Sequence, residues 1–215
     1  MALSSFRKSS RFGIVLCGMT ENTTRLEAFS DGVFAIAITL LILEIKVPHA
    51  EHGLWPGLAA LWPSYIAFAM SFLVILIMWV SHHELLRMIE RVTYPILFAN
   101  GLLLLTVTFV PFPTAVLAEH LPTASANSAV AFYCATFAVN GAVWNLLFRT
   151  MVRSGCLRPD INAETIAGVR KAYYLGLAVY VAAAALAFVQ PWLGLLLNVS
   201  LWGLWIRLGY RSRSA

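Results

Sequence analysis

Apolar residues in this chain gather in long, nearly unbroken runs separated by short polar stretches. A helix that crosses a hydrocarbon core about 30 Å thick needs roughly 20 mostly apolar residues. Six stretches meet that requirement: 28–47, closed by Pro48; 57–82; 95–117, which carries Pro111, Phe112 and Pro113; 125–148; 165–188; and 189–208. Gln190 and Pro191 are the only break between the last two, which predicts a tight helical hairpin. No span repeats another at a fixed period, so the repeat pattern of many transporters is not visible. The expected architecture is an all-α membrane protein with six transmembrane helices per subunit.

Composition supports the same class. Hydrophobic residues make up 60% of the 215 and charged residues 12%, too little polar surface to coat a water-soluble particle. The net charge of +5 changes meaning once it is placed along the chain. Every Lys and Arg except Lys46 falls before the first span, between spans two and three, between four and five, in the opening turns of five, or at the end of six and in the tail. By the positive-inside rule both termini are cytoplasmic, and the charge needs no nucleic-acid partner. Residues 1–24 (with Arg7, Lys8 and Arg11) read as a flexible cytoplasmic extension, since the apolar run there is too short for a signal-peptide core. Met19 is an alternative start. Residues 25–210 form the six-helix unit and 211–215 a basic tail. Cys17, Cys134 and Cys156 form no spaced pair, so no disulfide framework or metal cluster is implied.

The first span has unusual chemistry. Asp31 lies a turn inside its cytoplasmic end and Glu44 a turn inside the other; intramembrane carboxylates are costly and face protein or water. On a helical wheel with Ile36 at 0°, Phe29, Gly32, Thr39, Leu40, Leu43 and Val47 fall within about 60° of it, and Asp31 near −140°. One face is therefore layered apolar side chains plus a hydroxyl, which by itself reads as packing or lipid-facing surface. The other offers a carboxylate. Ser30, Trp79, His82, His83 and Asn100 should lie at the depth of Asp31 and supply hydrogen bonds to it. A structural staple is favoured there over a proton relay. His83-Glu84 opens like a zinc-protease motif, but position 87 is Arg, so the second ligand is missing. No nucleophile elbow, phosphate loop or dinucleotide fingerprint is present, and an enzyme is not indicated.

Residues 25–48, with Phe29-Ser30-Asp31-Gly32-Val33-Phe34-Ala35-Ile36-Ala37-Ile38-Thr39-Leu40 at their centre, resemble the signature of the bacterial branch of the transmembrane protein 175 family of potassium channels. The similarity continues in Pro63-Ser64-Tyr65, Ser71-Phe72, Trp79-Val80-Ser81-His82-His83, Asn100-Gly101-Leu102 and Pro111-Phe112-Pro113-Thr114. It covers residues 25–120 strongly and the last three spans by hydropathy alone.

That resemblance implies a homotetramer in the bacterial inner (plasma) membrane, with the first helix of each subunit lining a central pore. Ordinary potassium channels carry a Thr-Val-Gly-Tyr-Gly filter, which this family and this chain lack. By the motif, Ile36 is the bottleneck, Leu40 and Leu43 are further layers, and Thr39 matches a threonine ring assigned a part in selectivity. Arg25, Asp31, Trp79, His83 and Asn100 match polar positions that tie helices together. The resemblance thus turns the wheel's apolar stripe from packing surface into pore lining, with Glu44 near the outer mouth. Function is then passive conduction of potassium and other monovalent cations through a hydrophobic constriction, with no cofactor and no structural metal. The competing reading is a proton-coupled secondary transporter using Asp31 with His82 and His83 as its relay.

Overall fold

A computed structural model describes residues 23–48 and 53–211, the last five as helix backbone only. The expected extension 1–24 (apart from its last two residues), the loop residues His49, Glu51 and His52, and the tail beyond 211 lie outside the described residues. The fold is all helical: α1 (Thr23–Leu40), α2 (Leu54–Ala60), α3 (Trp62–Leu86), α4 (Tyr94–Thr108), α5 (Pro111–His120), α6 (Ala126–Arg153), α7 (Ala163–Ala187) and α8 (Pro191–Arg211). Among the described residues, five segments are long and apolar enough to cross a membrane: Thr23–Glu44, Trp62–Leu86, Tyr94–His120, Ala126–Arg153 and Ala163–Ala187. The sixth expected span falls on α8, which runs from Pro191 to Arg211.

Where elements begin and break follows from local chemistry. α1 tightens into a 3₁₀ turn over Leu41–Glu44 before Pro48. The span expected at 57–82 separates into the short α2, which follows Gly53 at φ 102°, and α3. The single helix expected over 95–117 is two helices, and proline is the reason. Pro111 has no N–H and its ring excludes an α-helical bond to the carbonyl of Val107. That carbonyl accepts from Val110 N at 3.1 Å instead, and Phe112 N donates to Phe109 O at 3.1 Å, so the chain turns between α4 and α5. α6 runs past the expected boundary at 148 as far as Arg153, which places Arg149 and Arg153 on the helix instead of in a loop. Ser154 caps it, followed by Gly155 at φ 60°, the left-handed position a C-terminal glycine serves. α7 starts on Asn162, whose side-chain oxygen accepts from Thr165 N at 2.8 Å. The α7–α8 hairpin turns at Gln190 before Pro191, as its sequence implies.

α6 occupies the centre, packed against α4, α5, α7 and α8, while α1 lies to one side against α3 and α4. The loops after α3 and after α6 are clipped together: Glu90 N donates to Cys156 O and Arg158 N to Met88 O, each at 2.9 Å. Ile89 and Leu157 face one another in that clip as an isolated β-bridge.

Candidate functional site

α1 presents two unlike faces. Leu26, Ser30, Phe34, Ala37 and Leu41 are buried, and their spacing of four, four, three and four residues is one helical stripe. Phe29, Gly32, Ile36, Thr39, Leu40, Leu43 and Val47 are uncovered by the rest of the chain, Ile36 to 59% and Leu43 to 68%. The wheel drawn from sequence separates these two sets. The 3₁₀ turn adds something it could not show. Residues three apart eclipse in a 3₁₀ helix, so Leu43 stands nearly above Leu40 on one line. The Thr39 hydroxyl donates to Ile36 O at 2.9 Å, which spends its proton on the backbone and leaves oxygen lone pairs facing outward. Glu44, half-buried, closes the 3₁₀ turn, and Lys46 beyond it is exposed.

Around Asp31 the expected polar residues divide into two connections. Trp79 Nε1 donates to Asp31 Oδ1 at 2.8 Å across α3 and α1. Separately, His82 Nε2 lies 2.7 Å from Asn100 Oδ1, Asn100 Nδ2 donates to Ser30 Oγ at 3.1 Å, and Ser30 Oγ donates to Leu26 O at 2.8 Å. An amide oxygen only accepts, so Nε2 carries the proton, and the chain runs in one direction from α3 through α4 into α1. Phe34 and Trp144 rings flank His82 at 5.4 and 6.3 Å. His83, the next residue on the helix, is exposed, as is Arg25 in the first turn of α1. His82 and His83 therefore face different surroundings. Asp31 accepts from the Trp79 indole and His82 bonds Asn100, so Asp31 and His82 belong to separate hydrogen-bonded connections.

Two further polar clusters, which sequence reasoning did not single out as clusters, lie inside the bundle. Asn140 Nδ2 donates to Thr106 Oγ1 at 2.7 Å, joining α6 to α4. Ser71 Oγ lies 2.6 Å from Thr114 Oγ1 and 3.0 Å from the Tyr133 hydroxyl, joining α3, α5 and α6. The usable signal was simply a polar residue inside an apolar span. Between Ser71 and His82, buried Val74, Ile75 and Met78 fill α3 over about 16 Å, so the clusters are separate staples. Among the described residues no three His, Cys, Asp or Glu side chains gather as a metal site, and Cys134 and Cys156 are buried.

These features define an all-helical integral membrane protein whose first helix is stapled on one face and left uncovered on the other. Residues 25–111 match the family described as the endosomal/lysosomal potassium channel TMEM175. A protein named potassium channel from Chamaesiphon minutus is 44% identical over 178 residues, 80% of this chain and 88% of that one. Another so named, from Streptomyces collinus, is 46% identical over 170 residues, 77% and 82% of the two chains. The crystal structure of a lysosomal potassium-selective channel TMEM175 homolog from Chamaesiphon minutus superposes with a TM-score of 0.76 at 42% identity, over 88% of this chain and 97% of that one. The chain belongs to the TMEM175 family, a family of ion channels and not of enzymes.

Proposed function

We propose that this protein is a potassium-permeable cation channel, a homotetramer in the bacterial inner membrane, conducting passively down the ion gradient. Each subunit crosses six times, α8 included, with both termini in the cytoplasm, and residues 25–210 act as one channel unit. The first helices line the axis. Ile36 forms the narrowest ring, and Leu40 and Leu43 form further apolar layers about 6 and 12 Å outward. A hydrophobic ring of this kind gates by dewetting. Four Thr39 oxygens, each with its proton already given to Ile36 O, present lone pairs that replace part of a potassium hydration shell. Glu44 raises cation concentration at the outer mouth, and Lys46 partly offsets it.

The observation that carries this reading is the coincidence of two facts. The segment that matches the channel family includes α1, and α1 leaves the whole Ile36 stripe uncovered while its opposite stripe is held by α3 and α4. Names of the relatives as potassium channels support the choice of ion.

The test is potassium flux into liposomes carrying the purified protein, with subunit number measured alongside. Expected are four subunits, flux that follows the potassium gradient without a proton gradient, and a rise of about tenfold in Ile36→Asn, equal to ~1.4 kcal/mol off the barrier. Unchanged flux in a correctly assembled Ile36→Asn tetramer removes Ile36 as the bottleneck. Flux that saturates and requires a proton gradient replaces the channel with a carrier.

A further inference from the structure

α6 is mostly buried, yet one narrow stripe of it faces outward: Phe132, Val139, Ala142 and Leu146, then Arg149 and Arg153. The stripe is apolar for about 21 Å between Phe132 and Leu146, the length of an acyl chain, and becomes cationic only at its end. There α7 contributes a second wall. The Arg149 guanidinium carbon lies 5.2 Å from the centre of the Tyr174 ring, and the same guanidinium donates to the Tyr174 hydroxyl. Lys171, three residues before Tyr174 and exposed, lies on the same side of α7.

Two properties separate this place from an ordinary surface arginine. First, Arg149 is positioned. Stacking on an aromatic ring and a bond to its hydroxyl hold the side chain against α7 and leave the other N–H donors of the fork open. Second, its charge is not neutralised by the protein. Arg87 is paired with Glu84 and Arg158 with Asp160, whereas Arg149 and Lys171 have no carboxylate partner among the described residues. A charge near the end of a membrane helix, unpaired and held beside an apolar strip, is complementary to one class of molecule: an anionic amphiphile whose acyl chain lies along the strip. We infer that the α6–α7 face binds an anionic phospholipid, its phosphate held by Arg149, Lys171 and the Tyr174 hydroxyl, with an acyl chain along Leu146, Val139 and Phe132. Basic positions between membrane helices on the cytoplasmic side recognise anionic headgroups in this way. The site lies on α6 and α7, not on the Ile36 stripe of α1, and does not depend on what the protein conducts.

Native mass spectrometry of the full purified assembly tests it, with phosphatidylglycerol and phosphatidylcholine of the same acyl composition supplied in equal amounts. The wild type is expected to retain phosphatidylglycerol preferentially. Arg149→Gln and Lys171→Gln each reduce that preference about fivefold. The double variant binds the two lipids equally. Arg149→Lys keeps much of the preference because the charge remains, and Arg87→Gln leaves it intact. Lys171 is exposed on α7, so its variant reads the site even if Arg149→Gln fails to assemble. Equal retention of both lipids by the wild type overturns the inference. So does an Arg87→Gln effect as large as that of Lys171→Gln, which would indicate diffuse attraction. Full displacement of lipid by millimolar inorganic phosphate would reduce the site to an anion site without the acyl strip. Loss of subunits instead of lipid in Arg149→Gln or Lys171→Gln would assign the strip to contact with a second copy of the chain.

Discussion

α1 and α6 are both apolar helices of membrane-spanning length, and they put polar groups in opposite places. α6 has 67% of its most apolar stretch buried and α1 only 28%. α6 turns Tyr133, Asn140 and Asn145 inward and leaves Phe132, Val139 and Leu146 outside. That is the expected arrangement in a bilayer. Lipid tails are as apolar as leucine, so a membrane helix gains little by hiding its apolar residues and much by hiding its polar ones. α1 obeys the rule on one side, where Ser30 is buried and bonded. It breaks the rule on the other, where the Thr39 hydroxyl sits exposed in the middle of an apolar stripe. A helix that leaves a hydroxyl where lipid would be expected is a candidate for contact with water and ions. Hydropathy treats the two helices alike; the difference emerges only from which face each neighbour covers.

The comparison breaks first at large side chains. Phe137 of α6 is fully buried, its ring 4.9 Å from that of Tyr133 and 5.9 Å from that of Tyr180. Phe137→Ala leaves a cavity that the surrounding helices cannot close and is expected to destabilise the fold by about 3 kcal/mol. Ile36→Ala, on the uncovered stripe, is expected to cost less than about 0.5 kcal/mol while still changing ion flux. Thermal or denaturant unfolding of the two variants in the same detergent decides it. Comparable losses would mean that the Ile36 stripe is packed as tightly as α6 and is no open face.

Polar staples give the next contrast. Asn100 is the middle link between His82 and Ser30. Asn100→Leu strands the Nε2 proton of His82 in a buried site, and a destabilisation of roughly 1–2 kcal/mol is expected. Asn140→Leu removes a bond of similar length to Thr106. Thr106 keeps its own bond to Leu103 O at 2.7 Å, so the loss should stay near ~0.6 kcal/mol, the average for a hydrogen bond between membrane helices. Unfolding midpoints for the two variants should differ in that order. If Asn140→Leu proves the more damaging, the weight of the polar staples lies around α6 and not at the root of α1.

How far these features could be read in advance depended on which relation each one needed. Asp31–Trp79 and Ser30–Asn100 are legible because successive spans reverse direction, so α3 runs against α1 and α4 runs with it, and residues equally far from one membrane face share a depth. His83 shares their depth and matches a polar position of the family motif. The structure separates it from His82 by the 100° turn between consecutive helical residues. The break at Pro111 was visible as composition but was absorbed into one span, because hydropathy does not register a missing N–H. Least legible was the Ser71, Thr114 and Tyr133 cluster. It joins three helices whose mutual rotation no single wheel provides, and Tyr133 lies beyond residue 111, where the match to the family ends.

Hydroxyls give the finest form of the contrast, and the smallest effect on stability. Thr39 of α1 and Thr136 of α6 each bond a carbonyl of their own helix, Ile36 O at 2.9 Å and Phe132 O at 3.0 Å. Valine has nearly the same shape, and each substitution removes donor and oxygen together while the backbone carbonyl keeps its helical role. Both Thr39→Val and Thr136→Val are therefore expected to change stability by no more than about 0.5 kcal/mol. Only Thr39 is exposed on the stripe, so only Thr39→Val should change the ratio of potassium to sodium flux in liposomes. It does so by replacing a ring of oxygen lone pairs with methyl groups that cannot stand in for water around an ion. Thr136→Val should leave that ratio as it was. Equal ratios in both variants would leave the exposed hydroxyl of α1 without a role in choosing the ion, and selectivity would then rest on the apolar rings alone.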